Sequence, residues 1–201
     1  MKAFGIVFAT LTAIVLVILG ITGIYFITTY NGLVAKQEAL SKSWGQVEVV
    51  CQRRADLIPN LVATVKGYAA HEKGVFENVA EARAKAGSIR LDAGEMANNP
   101  EQLQKFLAAQ KELSGALTKL LAVSENYPTL KADQGFLTLQ GQIEGSENRI
   151  AVERGNAQKA TNEYNVLVKG FFSSMVAGSK FQPVKYFEAD AGAKVAPKVN
   201  F

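Results

Sequence analysis

Histidine and cysteine are almost absent from this chain of 201 residues, which contains only His71 and Cys51. A zinc-protease helix needs a second histidine four residues along to reach the same metal ion, so we expect no metal site. Within one helix, Cys51 and His71 would lie about 30 Å apart, too far for a nucleophile and its base. The sequence therefore predicts a protein that is not an enzyme, with no catalytic residue and no cofactor. A single cysteine forms no internal disulfide and does not indicate the compartment.

Charged side chains and histidine are absent from residues 3–35, and Ile, Val, Leu, Phe, Ala and Gly dominate residues 4–27. A hydrocarbon core about 30 Å thick requires roughly 20 helical residues, so we predict a transmembrane anchor over residues 1–29. The alternative is a cleaved signal peptide, because Met1-Lys2 is a charged start. The apolar run exceeds the usual signal length, however, and no small-x-small cleavage site follows it.

Basic residues lie on both sides of the predicted anchor, with Lys2 before it and Lys36 and Lys42 after it. The positive-inside bias is therefore nearly balanced, and the side of the membrane that carries the remaining domain stays open. The net charge of +4 arises from basic residues interspersed with 18 acidic ones. Such a surface suits a nearby anionic leaflet and lacks the clustered charge of a nucleic-acid-binding protein.

Proline is scarce, with five residues in the chain, and three stretches repeat apolar residues at spacings of three, four and seven. The stretches run from Leu33 to Val79, from Leu103 to Leu121 and from Phe136 to Phe171. This spacing is typical of helices in a coiled-coil-like bundle. Pro59 interrupts the first stretch without changing its phase, so we expect a kink or brief break near residues 56–60. The first bundle helix is expected to continue the membrane helix, because no helix breaker separates the two.

Two further segments complete the predicted organisation. Residues 87–99 are rich in glycine, asparagine and other polar residues and predict a loop, after which Asn99-Pro100-Glu101 forms a helix start. The predicted fold is all-α: an N-terminal transmembrane helix followed by an elongated antiparallel bundle of three long helices, or four if Pro59 divides the first. The bundle is assigned to residues 30–181, and residues 182–201 form a tail expected to be poorly ordered.

Four charged residues fall at positions of the helical patterns where an apolar residue is expected: Arg54, Glu72, Glu147 and Arg154. Buried charges are costly unless they are paired, and pairing across helices defines register better than it adds stability. We therefore expect some of these four residues to pair across helices and to align the bundle. The functional alternative is a polar groove that binds a peptide or a lipid headgroup.

Several motifs occur in an order that resembles the LemA family over nearly the whole chain. They include the segment from Arg53 to Val62, Tyr30-Asn31, Trp44, Glu125-Asn126-Tyr127-Pro128 with Leu130-Lys131-Ala132, Glu147-Asn148 with Arg154, Tyr164-Asn165, Phe181 and Tyr186-Phe187. The chain departs from the family pattern at Ala157-Gln158 and at Phe172-Ser173. The resemblance implies a helical bundle anchored by a single pass in the inner membrane of a bacterial cell, and it implies no catalytic group.

The predicted function is that of a non-enzymatic helical scaffold, which forms assemblies or organises partners at a membrane surface. Its expected partners are the lipid bilayer and either copies of itself or another membrane protein, with no nucleic acid or small-molecule substrate. The alternative is an accessory subunit that positions a membrane enzyme such as a protease. Small residues on the long helices either form an association face or accommodate bulky neighbours: Gly115, Ala116, Gly141, Gly145, Gly155 and Ala157.

Overall fold

In the computed structural model, which describes residues 2–89 and 100–184, every regular element is helical. The helices are α1 (Lys2–Tyr68), α2 (Lys73–Ser88), α3 (Pro100–Val123), α4 (Pro128–Lys131), α5 (Gln134–Lys169) and α6 (Phe171–Ala177), with a 3₁₀ turn at Ser124–Asn126 between α3 and α4. The all-α fold with its long N-terminal apolar helix is confirmed. The helix start at Pro100 and the end of α3 before Pro128 also agree with the sequence.

Helix α1 contains the apolar N-terminal segment and the first bundle helix without interruption. Its 67 residues correspond to a rod of about 100 Å. From Phe8 to Ile27 its large apolar side chains are exposed. Among the described residues, α1 alone is long and apolar enough to cross a membrane. The prediction that the membrane helix runs directly into the bundle is therefore confirmed.

Of the kink or brief break expected near Pro59, the break does not occur, because α1 continues through this proline to Tyr68. Proline has no backbone N–H, so the carbonyl of Ala55, four residues earlier, loses its helical donor. Arg83 of α2 replaces that donor, with its Nε donating to the Ala55 carbonyl oxygen at 2.9 Å. A tertiary hydrogen bond thus satisfies the backbone group that the proline leaves unpaired.

The chain reverses direction ten residues beyond the proline, between Tyr68 and Lys73. The amide of Glu72 donates to the carbonyl of Ala69 at 3.1 Å, and Ala69 is buried beneath the turn. Helix α2 then returns alongside α1, as the contact of Arg83 with Ala55 shows. Val79 is therefore a core residue of a separate antiparallel helix, although it has the same phase as the stripe that begins at Leu33.

Helices α1 and α5 form the long antiparallel pair of the bundle. Three polar contacts join them along their length: Lys36 with Glu163 at 2.7 Å, Arg54 with Glu147, and Tyr68 with Asp133 at 3.0 Å. The two residue numbers in each pair add up to about 200, so one register holds over the whole domain. Because α5 runs back along α1, its last turn approaches the membrane segment.

The apolar core consists of two clusters along this axis. The membrane-proximal cluster contains Leu33, Trp44 and Cys51 of α1 with Ile150, Tyr164 and other residues. The distal cluster contains residues of α1, α2, α3 and α5, including Ile58, Leu61, Val79, Leu113, Leu120, Phe136 and Ile143. The boundary between the two clusters falls at the level of Arg54, between Cys51 and Ile58 on α1.

Two predicted segments lie largely outside the described residues. Of the predicted loop 87–99, α2 includes Gly87 and Ser88, and residues 90–99 are not described. Of the predicted tail 182–201, only residues 182–184 are described. Within them, Val184 is buried, and its amide donates to Asn165 Oδ1 at 2.8 Å while Asn165 Nδ2 donates to its carbonyl at 2.7 Å.

Arg83→Met is expected to lower the free energy of unfolding by about 1 kcal/mol or more, because it leaves the partly buried Ala55 carbonyl without a donor. In a Pro59→Ala background the loss should be smaller, because the amide of residue 59 then reaches that carbonyl. A double-mutant cycle, measured by denaturant unfolding of the detergent-solubilised protein, reports this coupling. Lys85→Met is the matched control on α2. It removes the exposed ion pair of Lys85 with Glu112 of α3 and should show no coupling to Pro59. Equal losses from Arg83→Met in both backgrounds would contradict the assignment.

Candidate functional site: a polar layer within the bundle

Arg54 is the largest polar side chain in the interior of the bundle, with 1% of its surface exposed. Helix α1 places it one turn after Cys51 and one turn before Ile58, both of which are buried apolar positions. The helical repeat therefore directs the guanidinium group into the core rather than into solvent. Its charge requires compensation from the facing helices.

Three residues on two facing helices supply that compensation. Glu147 of α5 forms an ion pair with Nη1 of Arg54. Nη1 also donates to Ser114 Oγ at 2.8 Å, and Nη2 donates to Gln110 Oε1 at 2.6 Å. Gln110 and Ser114 lie one turn apart on α3, so both face the same guanidinium group. We name Arg54, Gln110, Ser114 and Glu147 the polar layer.

Ser114 links the members of the polar layer to one another. Its hydroxyl lies 2.9 Å from Glu147 Oε1 and 3.1 Å from the carbonyl of Gln110, and either oxygen can accept its proton. The layer thus joins α1, α3 and α5 by hydrogen bonds to one charged group. Such bonds depend strongly on distance and direction, so a shift of one helix along another would break several of them together.

The other two charged residues singled out from the sequence do not join the Arg54 guanidinium group. Arg154 is two turns from Glu147 on α5, and burial lowers its pKa, with Arg54 adding repulsion. Its Nε has no partner among the described residues. Glu72 lies in the turn between α1 and α2, where its Oε1 accepts a hydrogen bond from Tyr127 at 3.4 Å. Of the four residues, Arg54 and Glu147 therefore pair with each other across helices.

Gln110 and Ser114 were not identified from the sequence. A signal was nevertheless present, since both occupy the inward side of α3 beside Phe106, Leu113 and Leu117. An uncharged polar residue in an apolar stripe is common and does not indicate its partner. The contacts of Arg54 across two helices are needed to recognise both residues as members of one layer.

The geometry around Cys51 and His71 offers no nucleophile. Cys51 is buried, and this burial raises the pKa of its thiol although Arg54 and Arg154 lie near enough to oppose the effect. His71 is exposed in the turn after α1. Within residues 2–89 and 100–184, no three His, Cys, Asp or Glu side chains are grouped so that they could hold a metal ion.

We propose that the polar layer sets the register of the bundle. The contacts of Arg54 with three residues of its own chain support this role, since they already occupy both terminal nitrogens of the guanidinium group. A cleft of about 520 Å³ does open beside the layer and is lined by Glu48, Gln52 and Arg53 among others. Arg54 itself is buried against α3 and α5, which argues against the alternative of a groove built on this side chain.

Glu147→Ala is expected to lower the free energy of unfolding by about 3 kcal/mol, because it leaves the buried Arg54 without its counter-charge. Arg54→Met should cost less, about 1–2 kcal/mol, because Glu147 is 37% exposed and can be hydrated. Denaturant unfolding of the solubilised protein measures both changes.

Glu144→Ala is the matched control on α5, because the exposed Glu144 carboxylate accepts a hydrogen bond from the Gln140 amide of its own helix. It should change the free energy of unfolding by no more than about 0.5 kcal/mol. A larger loss from Arg54→Met than from Glu147→Ala would contradict the role of the ion pair. A partner that binds the wild type but not a normally folded Arg54→Met variant would support the groove.

Known bacterial proteins match most of this chain. The chain is 28% identical over 191 residues to the magnetosome protein MamQ of Magnetospirillum gryphiswaldense, covering 83% of this chain and 69% of that protein. It is 27% identical over 176 residues to the magnetosome proteins MamQ 1 and MamQ 2 of Paramagnetospirillum magneticum, covering 79% of this chain and 64% of each relative. This chain thus spans about two thirds of the length of these relatives.

The exposed apolar segment of α1 and the bacterial source of these relatives indicate a membrane-anchored bacterial protein. The LemA family profile matches residues 43–201, which include the polar layer and all of α2 to α6. The protein belongs to the LemA family.

Proposed function

We propose that this protein is a non-enzymatic scaffold of the bacterial inner membrane, whose copies associate through the outer face of α5. Its residues are all exposed and lie on the side of α5 that faces away from the core. It consists of Leu137, Gly141, Gly145, Asn148, Val152, Gly155 and Val166. From Leu137 to Gly155 the steps are three or four residues, so these six residues form one continuous stripe along the helix, and Val166 lies three turns further along the same side.

The glycines of this stripe are the observation that carries the proposal. A Cβ atom placed at Gly141, Gly145 or Gly155 would meet no other group within 4 Å. These glycines therefore accommodate no bulky neighbour inside the bundle, although each costs about 1 kcal/mol of helix stability relative to alanine. Close approach of a second helix is a physical reason to retain them. Ala157, by contrast, is buried in the core.

The apolar residues of the stripe support the same reading. Val152 and Val166 are 61% and 64% exposed, and Leu137 is 44% exposed. They lie before, between and after the glycines, so a partner helix could place its own side chains over the small residues and bury the larger ones. Apolar side chains at helical spacing on an exposed face are the usual basis of helix-to-helix docking.

The uninterrupted α1 rod supports assembly between copies of the same chain. Each copy inserted in one bilayer carries the outer face of α5 at the same height above the membrane. Confinement to a plane also raises the effective concentration of the faces for one another. The accessory-subunit alternative uses the same face, with a different membrane protein as its occupant.

Val152→Glu is expected to weaken self-association by about 30-fold or more, because a charge without a partner in an apolar contact costs about 2 kcal/mol or more. The measurement is sedimentation of the full-length protein in mild detergent over a range of concentrations. Val49→Glu, at an equally exposed valine on α1 (61%), is the matched control and should leave the assembly unchanged.

Wild-type protein that sediments only as a monomer at high concentration would contradict the scaffold. Crosslinking in native membranes separates the two candidates: self-crosslinks through α5 support the scaffold, and one dominant different partner supports the accessory subunit.

The double variant Gly141→Ala with Gly155→Ala provides an independent prediction, in which monomer stability and self-association change in opposite directions. The monomer should become more stable by about 1–2 kcal/mol, because alanine is the better helix former and space is open at both sites. Self-association should weaken, because the added methyl groups keep a second helix further away. Thermal unfolding and sedimentation of the same sample measure the two effects. A double variant that is more stable and associates as well as the wild type would overturn the role of the glycines.

A further inference from the structure

Helix α6 has an unusual distribution of side chains between its two faces. Its buried face carries the small residues Ser173 and Ala177, whereas Phe171, Phe172 and Met175 are 79%, 62% and 76% exposed. A surface helix in water normally carries its large apolar residues inward. Here the three largest apolar residues form one outward patch, which we name the α6 patch.

The contacts beneath the helix maintain this orientation. The Ser173 hydroxyl donates to the carbonyl of Leu167 and lies 3.2 Å from the carbonyl of Gly170. Gly170 is required at this bend, because a Cβ there would approach Ser173 Oγ to 2.5 Å. Gly178, with a φ of +53°, ends the helix, and the following Phe181 is buried edge-to-face against Tyr30. The patch therefore faces outward because the polar side of α6 is held inside.

The position of α6 along α1 places the patch at the edge of the membrane segment. From Ala3 to Tyr25, α1 extends about 33 Å, close to the thickness of a hydrocarbon core of about 30 Å. Phe172 contacts Tyr25 edge-to-face, with ring centroids 6.3 Å apart. The α6 patch is thus continuous with the lipid-exposed surface of α1 at the level where aromatic rings favour the headgroup zone.

The charges around the patch suit an anionic headgroup layer. Lys169 precedes α6 and Lys180 follows it, and no acidic residue occurs between Glu163 and Glu188. Lys180 Nζ lies 4.9 Å from the ring centroid of Tyr30, above the membrane segment. Basic residues next to an apolar helix face are typical of helices that lie in the membrane interface.

We infer that α6 is a second membrane contact, which lies in the interface of the leaflet from which α1 emerges. Phe171, Phe172 and Met175 insert at the boundary between headgroups and acyl chains, and Lys169 and Lys180 face the lipid phosphates. A single spanning helix can rotate about its own axis. A contact beside it restricts that rotation and aims the outer face of α5 in one direction within the membrane plane. The lipid contact itself does not depend on the proposed scaffold function.

The test uses Trp fluorescence of the full-length chain in vesicles of phosphatidylcholine and phosphatidylglycerol with brominated acyl chains. Each variant adds the fluorescence of one new tryptophan to that of the wild type. Bromine should quench severalfold more of this added fluorescence in Phe171→Trp than in Val152→Trp. Val152 is the matched control, because it is exposed on α5 and about 26 Å before Lys169 along the helix. Trp44, the single native tryptophan, is buried in the bundle and provides the baseline.

Met175→Trp provides a second probe on the same patch, and circular dichroism verifies that each variant retains its helix content. Quenching of Phe171→Trp or of Met175→Trp well above the Val152→Trp control supports the membrane contact. Quenching at both patch positions no greater than at the control would overturn it. Quenching that appears only when the vesicles carry very little protein would also overturn it, because the patch would then be covered by protein at ordinary density.

Discussion

We propose that the arrangement of the helices depends on the buried guanidinium group of Arg54. Its bonds to Gln110, Ser114 and Glu147 connect the three helices that contribute most of the core. Apolar contacts alone tolerate sliding of one helix along another, because a leucine packs nearly as well one turn further along. A charge in a low-dielectric interior does not tolerate such sliding, since each broken hydrogen bond leaves a desolvated polar group without a partner. The boundary between the two apolar clusters lies at the level of this polar layer.

One register then extends from the polar layer to both ends of the bundle. Toward the distal end it brings Tyr68 to Asp133, the residue that caps α5 by accepting from the amide of Phe136 at 2.8 Å. Toward the membrane it brings Lys36 to Glu163, and this pairing lowers the pKa of the Glu163 carboxyl. The same register delivers α6 to the level of Tyr25, so that the proposed lipid contact depends on an alignment established far along the rod.

The sequence predicted the helical elements well where the apolar repeat is long. It also singled out Arg54 and Glu147, because a charged residue in an apolar stripe is conspicuous at its position. The absence of a break at Pro59 has a clear physical cause. The cost of a proline in a helix is the unpaired carbonyl one turn earlier, and Arg83 of another helix removes that cost. No local pattern indicates this rescue. The actual reversal, at Ala69 to Glu72, has only alanines and nearby glycines as a local signal.

For the outer face of α5 and the α6 patch as well, the sequence supplies the residues and the tertiary structure determines whether they are exposed. Their residues are visible in the sequence, but glycines and phenylalanines on a helix look alike whether they face a core or the outside. Only the packed structure places Gly141 and Gly155 opposite the core and Phe171 on the surface. By itself, the sequence determined the apolar N-terminal segment, the helical class and the family resemblance, because each depends on composition or on local periodicity. The tertiary structure decided which charges pair, where the chain turns and which faces remain open, because each depends on contacts between residues far apart in the chain.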